Sequence, residues 1–136
     1  MIDEILEKYP TGVKVVFKSF PLSSHKQAYK ASLYALAAGR QGKFKEMYNK
    51  IFANWRELKK NEDLPLQYAK ELNMDVEQLK QDIKDPALQK QIAEETAQLK
   101  NTGMRLAVPK FLINGKEPQA RSIEAWSSII EGYLKK

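Results

Sequence analysis

Cysteine is absent from the 136 residues. That one lack removes a disulfide framework, a thiolate nucleophile and every cysteine-based metal site. There is a single histidine, His25, so the clustered imidazoles of most zinc and non-haem iron centres are missing too, and neither a metal site nor a cofactor is expected. No apolar run approaches the ~20 residues that span a bilayer. Residues 1–20 lack the basic start, apolar middle and small-residue cleavage site of a secretory signal, so the expectation is a chain with no membrane association and no export signal. The compartment stays unknown. Also missing is a continuous basic stripe. Lysine and arginine exceed the acids by 23 to 17, a net charge of +6. The lysines nevertheless recur singly among acids, as in Glu57, Lys59, Lys60 and Glu62, which describes a solvated surface and no nucleic-acid partner. Repeats, linkers and low-complexity tracts are lacking as well.

What the chain does have is 43% hydrophobic and 29% charged residues, the composition of one globular domain. Ile2, Ile5, Leu6 and Tyr9 follow helical spacing until Pro10-Thr11-Gly12 stops them. Val13 to Phe20 then reads as a strand ended by Pro21, with lysines between its apolar residues. Ser23 or Ser24 is placed to cap the next helix, whose inner stripe of Ala28, Ala31, Ser32, Ala35, Leu36 and Ala38 permits close packing before Gly39. Phe44, Met47, Tyr48, Ile51 and Phe52 form a bulkier stripe after Gly42 that reads as core. Leu64 to Leu72 follow. Asp75 and Gln78 resemble a capping box, and Asp85-Pro86 opens a helix that Asn101 to Gly103 should close. Phe111, Leu112 and Ile113 then run into Asn114-Gly115, a hairpin signal, with Pro118 shortening the returning strand. Ser122 caps a last amphipathic helix carrying Ile123, Trp126, Ile129, Ile130, Tyr133 and Leu134. The order is helix end, strand, helical block, hairpin, helix, which is an α/β arrangement.

Four segments in this order resemble the DsbA family of thioredoxin-like thiol–disulfide oxidoreductases: Val13 to Leu22 followed by His25, Gln41-Gly42-Lys43-Phe44, Tyr68 to Asp75, and Val108 to Lys116. The resemblance implies an α/β, incomplete thioredoxin-like fold. Its thioredoxin-like part would be residues 1–22 and 103–136, and its helical insertion, residues 23–102, would lie between strand 13–20 and hairpin 110–119. It also implies a cis-proline loop at Ala107, Val108 and Pro109, a candidate edge for an extended peptide, and it suggests an extracytoplasmic setting. Members of that family begin with a strand and a Cys-x-x-Cys helix, and this chain is expected to start where that helix ends. Before its proline the family usually has Gly-Thr-Pro-Thr, where this chain has Ala107-Val108-Pro109-Lys110.

The functional expectation is therefore a redox-inactive fragment or remnant of a DsbA-like oxidoreductase, with no catalytic residue in this chain. Two other readings remain. One is a non-catalytic peptide-binding or assembly module using the cis-proline loop or an exposed sheet edge. The other is a relative of the kappa-class glutathione transferases, whose serine would also fall in the missing front. His25 lacks a catalytic partner, and Glu94-Glu95 and Glu4-Glu7 read as solvated helix faces. With one strand gone from the middle of the sheet, residues 13–20 would present unpaired donors and acceptors, and self-association as a homodimer or higher oligomer is expected.

Overall fold

The computed structural model describes residues 1–136, and they form eight helices with no β-sheet. By its contacts the chain divides into two units, Lys18–Met104 and Met1–Phe17 together with Arg105–Lys136.

In the larger unit α2 (Lys26–Arg40), α3 (Phe44–Ala53), the single turn α4 (Trp55–Leu58), α5 (Pro65–Glu71), α6 (Val76–Asp82) and α7 (Pro86–Lys100) follow one another. The alanine stripe decides the packing. Ala37 and Ala38 are fully buried beside Tyr34, and with methyl groups on that face neighbouring helices can approach α2 closely. Leu33, Met47, Ile51, Leu58, Tyr68, Leu79, Leu88 and Ile92 complete one core. The bulky stripe of α3 is only partly core, because Met47 and Ile51 are buried while Phe52 is 60% exposed.

Helix ends follow from side chains and from positive φ. α2 runs past Gly39 to Arg40, and the turn is made by Gly42 at φ +72°, with Lys43 N–H donating to the Ala38 carbonyl at 2.9 Å and Gly42 N–H to the Gly39 carbonyl at 3.0 Å. This is a Schellman closure, and it needs a residue that tolerates the left-handed region. Asn73 at φ +55° closes α5 in the same way, through Met74 N–H to the Ala69 carbonyl. Asp75 caps α6 by accepting from Gln78 N–H at 3.0 Å, but the return half of the capping box is not made by Gln78, whose amide donates to Asp82 instead. Gln41 takes its place, accepting from Asp75 N–H at 2.9 Å and donating to the Asp75 carbonyl at 3.0 Å. Two of the segments that carry the family resemblance thus meet at one amide. Neither Ser23 nor Ser24 caps α2. His25 holds that position and makes no side-chain capping bond.

Polar ties cross this core. Tyr34 Oη donates to Asp63 Oδ1, and Lys30 Nζ pairs with the same oxygen, both at 2.7 Å. Burial, and then the bond to Asp63, push the Tyr34 hydroxyl well up, while Lys30 and then Tyr34 hold Asp63 below the usual carboxylate range. Arg40 forks onto Asp82 at 3.0 Å and Asp85 at 2.9 Å. Glu95, expected on a solvated face, is only 8% exposed. Its carboxylate accepts from the Ser19 N–H at 2.7 Å and from the Gln91 amide at 3.1 Å.

In the smaller unit α1 (Ile2–Lys8) and α8 (Ile123–Leu134) pack through Ile5, Trp126 and Ile130, with Ile2, Tyr9, Val13, Phe111 and Ile113 around them. Tyr9 Oη donates to Glu131 at 2.8 Å and Lys8 Nζ to Ser127 Oγ at 2.9 Å. Ser122 caps α8 by accepting from Ala125 N–H at 3.1 Å. Gly12 lies against Leu134, where a β-carbon would come within 3.0 Å of the leucine side chain.

The α/β expectation is overturned. Residues 13–20 form no strand, and the expected hairpin 110–119 is reduced to a single antiparallel bridge between Ile113 and Lys116, closed across Asn114 and Gly115 at φ +47° and +82°. Helices close their own hydrogen bonds, whereas a strand needs donors and acceptors on a neighbour. The extended segments of this chain find no such neighbour, so an incomplete thioredoxin-like sheet does not form. No helix is long and apolar enough to cross a membrane.

Candidate functional site

The three residues singled out in the sequence lie in the irregular segment between Arg105 and Ser122, within the smaller unit. Ala107 N–H donates to the Arg105 carbonyl at 2.9 Å, which bends the chain just before the Val108–Pro109 bond. That bond is cis. Ala107 is half-buried and Pro109 exposed, and Val108 stands among the exposed large apolar side chains together with Leu106 and Leu112.

A relay of side chains fixes the loop to its core. Arg121 donates to the Pro109 carbonyl at 2.8 Å, and its guanidinium lies 5.3 Å from the centre of the Phe111 ring. Phe111 packs on Trp126 at 4.9 Å with the rings inclined at 57°, and Trp126 Nε1 donates to the Ala120 carbonyl at 2.9 Å. On the other side Lys110 Nζ reaches both oxygens of Glu117 at 3.0 Å, with only 6% of the Lys110 side chain exposed. The sequence reading missed Arg121, Lys110 and Glu117. The Lys110–Glu117 pair had a signal, since the two charges are opposite in sign and diagonal across the Asn114-Gly115 turn. Arg121 had none beyond its place before the Ser122 cap.

Chemically the loop offers main-chain polar groups and apolar side chains. The amine next to the proline, that of Lys110, is bound in an ion pair, and residues 105–121 carry no hydroxyl, imidazole or thiol side chain, so what the arrangement offers is a surface for binding. His25 is exposed and lies in the other unit. In that unit a groove of about 370 Å³ is lined by Pro21, Tyr29, Ile92, Thr96 and Lys100 among others. It holds no acid–base pair. Nowhere do three histidine, aspartate or glutamate side chains converge as metal ligands would.

A family model described as thioredoxin matches residues 1–132. The chain is 32% identical over 133 residues to the Na(+)/H(+) antiporter NhaA 3 of Salinispora tropica and, to the same extent, to the Na(+)/H(+) antiporter NhaA 1 of Salinispora arenicola. Each alignment takes in 95% of this chain and 20% of the relative. The chain therefore spans about a fifth of the length of the curated relatives it matches. No solved structure matches it.

Proposed function

Since this chain belongs to the thioredoxin family by its match over residues 1–132, we propose that its 136 residues are a redox-inactive, DsbA-like member, a fragment or remnant of a thiol–disulfide oxidoreductase. The observation that carries this reading is the lack of any cysteine in a chain of that family. Thiol–disulfide exchange proceeds through a mixed disulfide and needs an attacking or receiving sulfur. The thioether of methionine cannot form one. The antiporter activity named for the two relatives belongs to much longer chains and forms no part of this proposal. The protein, prepared free of contaminating thiols, is expected neither to reduce insulin disulfides nor to oxidise a dithiol peptide above the uncatalysed rate. Turnover that follows the protein through purification would sink the reading.

A second reading is favoured by where the apolar surface lies. Val16, Phe17, Leu106, Val108 and Leu112 are exposed, and all belong to the smaller unit, on its two non-helical segments. These segments, Ala107, Val108 and Pro109 among them, would take up an extended peptide or a second copy of the chain. Val108→Asp is expected to weaken binding of an apolar extended peptide, and sedimentation at micromolar concentration separates self-association from peptide capture. A monomer indifferent to such peptides would leave only the first reading.

A further inference from the structure

The sequence between Met47 and Glu62 mixes aromatics, cations and acids in a way that looks like ordinary solvated surface. The structure sorts them. Asn54 is at once the C-cap of α3 and the N-cap of α4, at φ −122° and ψ 27°, so the chain turns a corner there. Phe52 and Trp55 stand on either side of that corner, 60% and 47% exposed. They are the two most exposed aromatic side chains of the molecule. Phe52 ends a ladder of rings on α3, with its centre 4.4 Å from that of Tyr48, which lies 5.8 Å from that of Phe44. The ladder braces Phe52 from behind and leaves its outer side bare.

Cations lie beside the indole. Arg56 lies 5.2 Å and Lys59 5.0 Å from the centre of the Trp55 ring, and neither makes an ion pair. Lys60 follows with no carboxylate partner. The acids of the stretch, Glu57 and Glu62, are exposed as well, and neither forms an ion pair with these cations. The result is a corner with two protruding aromatic side chains, two cations over the indole and the exposed Lys60 next in the chain, in a protein whose net charge is +6.

We propose that this corner, Phe52 and Trp55 with Arg56, Lys59 and Lys60, adsorbs the protein peripherally to the surface of an anionic lipid bilayer. Indole and phenyl rings favour the headgroup level of a bilayer, and neighbouring lysine and arginine are drawn to anionic headgroups. A single-stranded nucleic acid is the other polymer that aromatics and cations attract, but it binds by stacking bases on open ring faces. Here cations already lie over the indole of Trp55. The lipid surface fits better, because it asks for ring insertion and charge together and not for stacking.

The test uses the full chain with vesicles of phosphatidylcholine alone and of phosphatidylcholine mixed equally with phosphatidylglycerol. Trp126 is 3% exposed, so a blue shift of tryptophan emission on adding vesicles reports Trp55. The expected result is co-sedimentation and a blue shift with the anionic vesicles, little of either with the neutral ones, and loss of both as salt is raised. Replacing Arg56, Lys59 and Lys60 by glutamine should lower the partition coefficient by about fivefold per cation. The pair F52S and W55S should lower it by at least about tenfold, with sedimentation then the readout. All five side chains are at the surface, so the variants should keep cooperative thermal unfolding, with F52S and W55S lowered only by the lost ring contacts to Tyr48, Arg56 and Lys59. Failure to bind anionic vesicles at low salt would overturn the proposal. So would binding that F52S with W55S leaves unchanged, which would reduce it to the attraction of net charge, or binding to single-stranded oligonucleotides in preference to vesicles.

Discussion

The units Lys18–Met104 and Met1–Phe17 with Arg105–Lys136 meet the demands of their main chains differently. In the first, six helices satisfy most of their own carbonyls and amides, and Asp75 and Asp85 cap two of them while Gln41 and two left-handed closures take further end groups. Its buried centre is broad, and, Tyr29, Phe52 and Trp55 apart, its large apolar side chains are at least partly covered. The second has two helices around Ile5, Trp126 and Ile130, and its remaining length is extended segment held by single contacts such as Arg121 to Pro109. A helix carries its bonding partners within itself, and an extended segment must find them elsewhere. The comparison teaches that the same chain can be locally complete in one part and dependent in another.

Trp126→Ala tests that contrast with the largest effect. It removes the main side chain of the smaller core, including its bond to Ala120, and is expected to cost about 3–5 kcal/mol. Hydrogen exchange should then quicken in α1 and α8 while α2 and α7 keep their protection. The counterpart Leu79→Ala, at a fully buried site, should cost about 2–5 kcal/mol and quicken exchange in the helical unit. If either substitution accelerates exchange equally throughout, the two units unfold as one and the contrast is false.

A smaller effect sharpens the comparison through acid. Asp63, Asp85 and Glu71 in the helical unit are held below the usual carboxylate range: Asp63 chiefly by Lys30, Asp85 by the Ala87 N–H and then Arg40, and Glu71 by Lys50. In the smaller unit one carboxylate, Glu131, is lowered, mainly by the Tyr9 hydroxyl. A carboxyl group whose folded pKa lies below its unfolded value of about 4 stabilises the fold above that pH, and the contribution disappears as pH falls through the folded value. Urea midpoints should therefore fall on acidification below about pH 4, more for helices α2 to α7 than for α8. Asp63→Asn should flatten that fall, and an unchanged slope would remove Asp63 from the explanation.

The helical part was legible in the sequence because its signals are local. Asp75, Asp85-Pro86 and Ser122 announce helix starts by chemistry that acts over three residues, and the alanine face of α2 announces a close neighbour. The errors have the same origin. Gly39 looked like the end of α2, but a glycine can also sit within a helix, and it is Gly42 that takes the left-handed turn. The Asp75 box was half right, since Gln41, 34 residues away, supplies the other half. Val13 to Phe20 has the composition of a strand, but composition cannot provide the neighbour a strand needs. For the candidate site the sequence marked Ala107, Val108 and Pro109 but not the Arg121 and Glu117 that hold the loop, because those contacts depend on a turn whose geometry had first to be known.

The bond from Ser19 to Glu95 stands in the way of one route to fibres. A stretch like Val13 to Phe20, rich in β-branched and aromatic residues, is the kind that recruits identical copies into stacked cross-β assemblies. An incoming strand that claimed the Ser19 N–H would strip a buried carboxylate of a donor and leave it under-satisfied, at a cost of about 1–3 kcal/mol. It would meet Lys14 and Lys18 on the way, two charges that identical stacking would repeat at every layer. Glu95 thus acts as a gatekeeper from the other side of the sequence, occupying in each folded molecule one rung of the ladder that a growing fibril would have to use.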